Sequence, residues 1–182
     1  IGHTYILNYV SFVESQISTK VLFGFVLGMM MAIDNGGPIN KTAYVFSIGM
    51  LMSYDYYPMA AVMAGGMIPP FVIALTATLF KDRFEVRKDA LMNYINGISF
   101  ISEGAIPFIQ KESQIILPAC CLSAGLAGAL SMYFNCSIAS PHGGLFLIWM
   151  VQNPISYLSL IVCSTCVGTI LLILFTKLKK ES

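Results

Sequence analysis

Asn96-Gly-Ile-Ser-Phe-Ile-Ser-Glu-Gly-Ala-Ile-Pro-Phe108 places one carboxylate, Glu103, in apolar sequence flanked by Gly97, Gly104 and Pro107. A charged side chain at mid-bilayer costs about 3 kcal/mol or more. Such a residue therefore faces a partner, a water-filled cavity or a substrate. Gly and Pro beside it predict a helix that breaks here. Irregular backbone at membrane depth survives only where it is buried in protein or lines a cavity. The stretch reads as a polar binding site held inside a membrane protein.

Composition agrees with that reading. Of 182 residues, 57% are hydrophobic and only 10% charged, and the mean hydropathy is +0.76. A soluble domain carries about 25% charged residues, so this chain has too few to cover a core of this size. The fold class expected is an all-α integral membrane protein. Net charge is +1 with no basic stripe, so nucleic acid is not an implied partner. Cysteines stand at 120, 121, 136, 163 and 166, all in or beside apolar runs. Cys163 and Cys166 have C-x-x-C spacing, yet no second pair accompanies them. They read as small packing or lipid-facing residues, and no metal or cofactor is expected. The chain opens on Ile1 without a Met or a signal-peptide pattern, and reads as the C-terminal part of a longer membrane domain.

Residues 1–20 are mixed and read as an interfacial or loop segment; 21–178 read as the membrane domain and 179–182 as a cytoplasmic tail. The apolar runs Val21–Ile33 and Thr42–Ser53 flank Asp34-Asn-Gly-Gly-Pro-Ile-Asn-Lys41. Each falls short of the roughly 20 residues that cross a bilayer. That turn is either a surface loop or a re-entrant feature, and the short runs favour the second. Tyr57–Phe80 is uncharged and long enough to span despite Gly65-Gly66 and Pro69-Pro70, which predict a kink. Lys81, Arg83, Arg87 and Lys88 then mark the Lys81–Asp89 loop as cytoplasmic, as Lys177, Lys179 and Lys180 mark the C-terminus. An even number of crossings must lie between. Ile115–Phe134 and Pro154–Thr176 supply two; Ala90–Ile109 and Ile138–Gln152 are then expected as re-entrant hairpins. Gly24-x-x-x-Gly28, with Gly125 and Gly128, predicts close helix packing. Tyr54, Tyr56 and Tyr57 cluster at a span end, where an aromatic belt would lie.

Four stretches, in order, resemble the fructose-type family of phosphotransferase-system enzyme IIC, a sugar-translocating membrane subunit. They are Asp34–Tyr44, Met59–Pro70, Ile101–Phe108 and Ser140-Pro-His-Gly-Gly-Leu-Phe146. The resemblance covers about residues 21–178. Asn35 stands where the family has Met, Thr42 and Ser140 where it has Ala, and Ser102 where it has Thr. The resemblance implies import of fructose or a fructose-like sugar coupled to its phosphorylation, in a bacterial inner membrane, multi-pass and with a cytoplasmic C-terminus. It also implies a phosphorylated IIB donor, with IIA and a phosphocarrier protein upstream, and a homodimer in membrane lipid. The chemistry, that of a protein-N(pi)-phosphohistidine–sugar phosphotransferase, would need those partners, because this chain contains no phosphodonor domain.

Glu103 has the best case as a site residue. A carboxylate accepts hydrogen bonds from sugar hydroxyls and can take the proton of the one being phosphorylated; the bland reading is a buried, salt-bridged structural Glu. His142, between Pro141 and Gly143-Gly144, is read either as a donor or proton shuttle near neutral pH or as a residue holding its own turn. His3 lies outside any motif. Asp34, Asn40 and Lys41 flank the Gly-Gly-Pro turn. Asn40 and Asp34 suit polyol hydrogen bonding, and Lys41 suits a phosphate or Asp34; the bland reading is helix capping. Three functional readings follow: the phosphorylating permease, a non-phosphorylating transporter or facilitator, and an inactive remnant.

Overall fold

A computed structural model describes residues 17–81, 83–84 and 87–181. Residues 1–16 of the expected interfacial segment, His3 among them, lie outside the described residues, as do Asp82, Glu85 and Val86 of the basic loop. The fold is all-α. In chain order the helices are α1 (Ile17–Ile33), α2 (Pro38–Met52), α3 (Tyr57–Leu79), α4 (Arg87–Ile98), α5 (Ile106–Lys111), α6 (Ser113–Tyr133) and α7 (Pro154–Glu181). Short 3-10 turns cover Ser102–Ala105 and Gly144–Met150. A two-residue antiparallel ribbon pairs β1 (Ser137–Ile138) with β2 (Val151–Gln152).

Three helices are long and apolar enough to cross a membrane: α3, α6 and α7. In its most apolar window α3 is 94% buried, against 39% for α7, so α3 is the axis and α7 lies on the outside. Pro69 and Pro70 sit inside α3. Each removes a donor from the helix ladder, a defect tolerated in membrane helices where neighbours surround the freed carbonyls. The expected glycine packing is present. Gly24 lies against the Gly128 backbone, Gly28 against that of Ala124, and Gly65 against Gly28, so a Cβ at any of them would collide with main chain. The helices α1, α3 and α6 therefore cross at backbone contact, and Gly125 receives the Phe25 ring. Cys163 and Cys166 are exposed on the outside of α7, while Cys120 is buried in α6.

The bundle has two chemically distinct ends. At one, Lys20 donates to Asn135 Oδ1 at 2.8 Å and sits 4.0 Å from the Tyr57 ring centroid. The start of α7 is also here, since Tyr157 Oη donates to the Ala60 carbonyl of α3 at 3.2 Å. At the other end lie Lys81, Arg83, Arg87 and Lys88. Arg83 there grips Glu112, before α6, through two hydrogen bonds of 2.9 and 2.8 Å. Lys179 acts electrostatically on the same carboxylate, so the last turn of α7 is at this basic end as well. The lysines expected in a tail from residue 179 belong to a helix that runs on to Glu181. Cations at a helix C-terminus complement its dipole.

Glu112 carries a pH prediction. The Arg83 hydrogen bonds chiefly hold its carboxyl below the ordinary 4.5, opposed by partial burial and aided by the charges of Arg83 and Lys179. A depressed folded-state value gives stability that is present above the unfolded value and lost as pH falls through the folded one. Melting temperatures of wild type and Glu112→Gln should therefore differ at about pH 6 and converge towards about pH 3. A gap that stays constant with pH would show that the carboxylate charge plays no part.

Candidate functional site

Three chain reversals meet inside this bundle. The first is the turn between α1 and α2. Both helices open towards the end where Lys20 meets Tyr57, here called the tyrosine end, and their turn, Asp34–Gly37, lies partway down the bundle beside Glu103. There Asn35 has φ +40° and Gly36 φ +98°, and a Cβ on Gly36 would strike the Glu103 carboxylate.

The second reversal comes from the basic end. Arg87 Nε donates to the Ala77 carbonyl at 3.0 Å, which pins the start of α4 beside the end of α3. Gly97 then rests on the Phe71 ring, and the Phe100 ring on Gly66 near the middle of α3. The chain turns back through Ser102–Ala105 and α5 to Glu112, held by Arg83 at the end where it began. Gly104 fits against the amides of Asn93 and Asn96, which bond to each other at 3.1 Å; Asn93 is 1% exposed. A side chain at 104 would displace that floor under Glu103.

The third reversal, residues 134–153, starts and ends at the tyrosine end and is closed there by the β1–β2 ribbon. Its tip is Pro141–Gly144. Gly144, at φ +56°, sits against the Ile98 carbonyl and the Phe100 amide, and the His142 ring lies 5.4 Å from that of Phe100. Ser140 Oγ donates to the His142 carbonyl at 3.0 Å.

Where the tips meet, Met31, Gly36, Asn40, Lys41, Tyr44, Phe100, Ser102, Glu103 and His142 line an open cavity of about 390 Å³. Cavities of about 300–1,000 Å³ hold small ligands. Four of the five residues singled out from sequence are thus brought together from three separate segments of the chain. Glu103, Lys41 and His142 are exposed to the cavity side, and no ion pair to Glu103 exists among the described residues. The salt-bridged structural Glu is not what the geometry shows. Asn40 is 7% exposed, and its Nδ2 donates to the Met31 carbonyl at 2.7 Å, leaving its side-chain oxygen as the acceptor at the cavity wall.

Asp34 does not line the cavity. Its two carboxylate oxygens accept from the backbone N–H groups of Ile39, at 2.7 Å, and Asn40, at 2.9 Å. With Pro38 at the first helical position these are unsatisfied donors of α2, so Asp34 caps that helix. Removing such a cap costs about 1 kcal/mol. Asp34→Ala should lower stability by about that much in thermal melts, and Asp34→Asn, which keeps one acceptor, by less. Equal melting of all three proteins would exclude the capping role. Sequence reasoning overlooked Ser102, Tyr44 and Phe100 as lining residues. Ser102 and Tyr44 had a signal, for both stand within the quoted motifs.

Known proteins carry similar sequence over this region. The chain is 44% identical over 162 residues to the PTS system fructose-specific EIIB'BC component of Vibrio cholerae, covering 87% of this chain and 28% of that protein. It is 41% identical over 163 residues to the fructose permease IIC component of Bacillus amyloliquefaciens, covering 88% and 53%. Against the PTS system fructose-specific EIIC component of Haloferax volcanii it is 37% identical over 153 residues, covering 83% and 41%. The chain thus spans between about a quarter and a half of the length of these relatives. No family model matches it, and no solved structure does.

Proposed function

We propose that this chain, which belongs over most of its length to the fructose-specific EIIC family of the phosphotransferase system, forms the sugar-binding part of a membrane subunit. That subunit imports a fructose-type sugar as a separate IIB donor phosphorylates it. The observation that carries the reading is the meeting of three chain reversals, from opposite ends of one bundle, at a cavity holding Asn40, Lys41, Ser102, Glu103 and His142.

Those groups divide the work. The Asn40 oxygen, the Ser102 hydroxyl and the His142 imidazole offer the mixed donors and acceptors that a polyol needs. Glu103 accepts from the hydroxyl that is phosphorylated and takes its proton. As the new O–P bond forms, the S–P bond of a phosphocysteine on IIB breaks and the thiolate leaves. The transferred group needs positioning and charge stabilisation above all, and Lys41 is the cation at hand. Asp34 acts indirectly, by fixing the start of α2.

By the positive-inside rule, the basic end faces the cytoplasm of a bacterial inner membrane. The chain from Arg87 to Glu112 is then a re-entrant hairpin from the donor side, and residues 134–153 one from the outside. A homodimer in lipid completes the picture. Membrane vesicles containing the chain in its full-length protein provide the test. Fructose phosphate should form only when phosphorylated IIB is supplied at the basic end. Fructose binding with no phosphate transfer under those conditions would refute the coupling and identify a facilitator instead.

A further inference from the structure

We infer that Phe100 is a positioning residue that sets the spacing between Glu103 and His142, with Gly66 of α3 as the slot that holds its ring. The inference rests on the sugar site proposed above. Phe100 has φ +60°, left-handed backbone that a bulky side chain adopts rarely. The surroundings that hold it there can be named. Its ring edge lies on Gly66, where a Cβ would overlap it. Its ring also pairs with two cavity residues from different reversals: Tyr44 of α2, with centroids 6.2 Å apart, and His142, at 5.4 Å. Its backbone N–H donates to the Gly97 carbonyl at 3.2 Å, and Gly144 packs so close to that nitrogen that a Cβ would crowd it.

Phe100 is therefore 8% exposed and touches α2, α3 and the His142 loop, while standing three residues before Glu103. Through the Tyr44 and His142 rings it links all three reversals. Strained backbone persists only where the surroundings over-determine it, and such positions cluster at functional sites. A ring displaced from the Gly66 slot moves His142 and the Glu103 turn relative to each other, and small misplacements at such sites cost large factors.

The test uses the full-length protein, with the His142 resonance assigned by its loss in His142→Gln, and compares Gly66→Ala, Phe100→Leu and the double variant. Fructose affinity, the His142 ring resonance by NMR and the melting temperature are read on each. Each single variant should weaken fructose binding about tenfold or more and shift the His142 resonance. The double variant should bind no worse than Phe100→Leu alone, because the added Cβ no longer has a ring to displace. Binding within about twofold of wild type in either folded single variant, or losses that multiply in the double, would overturn the inference. Should wild type bind no fructose, the sugar-site reading fails separately. An unmoved His142 resonance in Phe100→Leu would then still refute the positioning role, and that variant adds no atoms that could block folding.

Discussion

Glu103→Gln is expected to reduce fructose uptake and phosphorylation by about a hundredfold or more, the range of losses when a positioned acid–base group is removed. The substitution keeps the size and length of the side chain, exchanges one acceptor oxygen for an amide donor and removes the charge and proton affinity. What makes the prediction sharp is the lack of any ion pair to this carboxylate among the described residues together with its exposure to the cavity. A structural Glu would drag stability down with activity. Here membrane insertion and melting temperature should stay as in wild type while transport disappears. Uptake assays on vesicles beside thermal melts of the purified protein separate the cases. Normal uptake in the mutant would remove Glu103 from the mechanism.

Leu in place of Gly28 should do the reverse and abolish the fold itself. A side chain at Gly28 meets the Ala124 carbonyl and the Gly128 backbone, while Gly65 of α3 packs on Gly28 from another side. Main chain cannot rotate out of the way as a side chain can, so α1, α3 and α6 would have to separate. Overpacking costs about 1–3 kcal/mol where side chains can shift, and the expected loss here is about 3 kcal/mol or more. Gly128→Leu should behave alike. Gly49 of α2 is the control, for a Cβ there meets nothing within 4 Å. Gly49→Ala should raise stability by up to about 1 kcal/mol through helix propensity. Melting and yield measured on all three would expose a wrong packing scheme if Gly28→Leu were tolerated like Gly49→Ala.

Much of this arrangement is legible in the chain itself. The cations at Lys81–Lys88 and Lys177–Lys179 demand an even number of crossings between them, and α6 and α7 supply two, with both cationic clusters at one end. Glu103 among glycines and a proline signals a broken helix, and the break is there. Boundaries are less legible. The expected runs Val21–Ile33 and Thr42–Ser53 are the helices Ile17–Ile33 and Pro38–Met52. Polarity suggested a loop up to Lys41, but Pro38 opens α2 and Asp34 caps it from outside. Asp34 also shows why type and position fail to separate a ligand from a cap: a carboxylate before Gly-Gly-Pro suits either, and only the bonds to Ile39 and Asn40 decide. Phe100 lies inside the Asn96–Phe108 stretch but gave no signal of its own. One aromatic in an apolar run looks like core until its φ and its partners across the chain are known.

The most direct measurement is which side of the membrane single cysteines face, because the site exists only if the Glu103 segment enters and leaves by one end. In full-length protein with every native cysteine replaced, cysteines are placed at Lys88, Gln110, Tyr54 and Gln152 and treated with an impermeant thiol reagent. Positions 88 and 110 are expected to label from one face, the cytoplasmic one by the positive-inside rule, and positions 54 and 152 from the other. Labelling of 88 and 110 from opposite faces would mean that the segment crosses the bilayer. Glu103 could not then meet His142 and the Asp34–Lys41 turn as described, and the sugar site would have to be sought elsewhere.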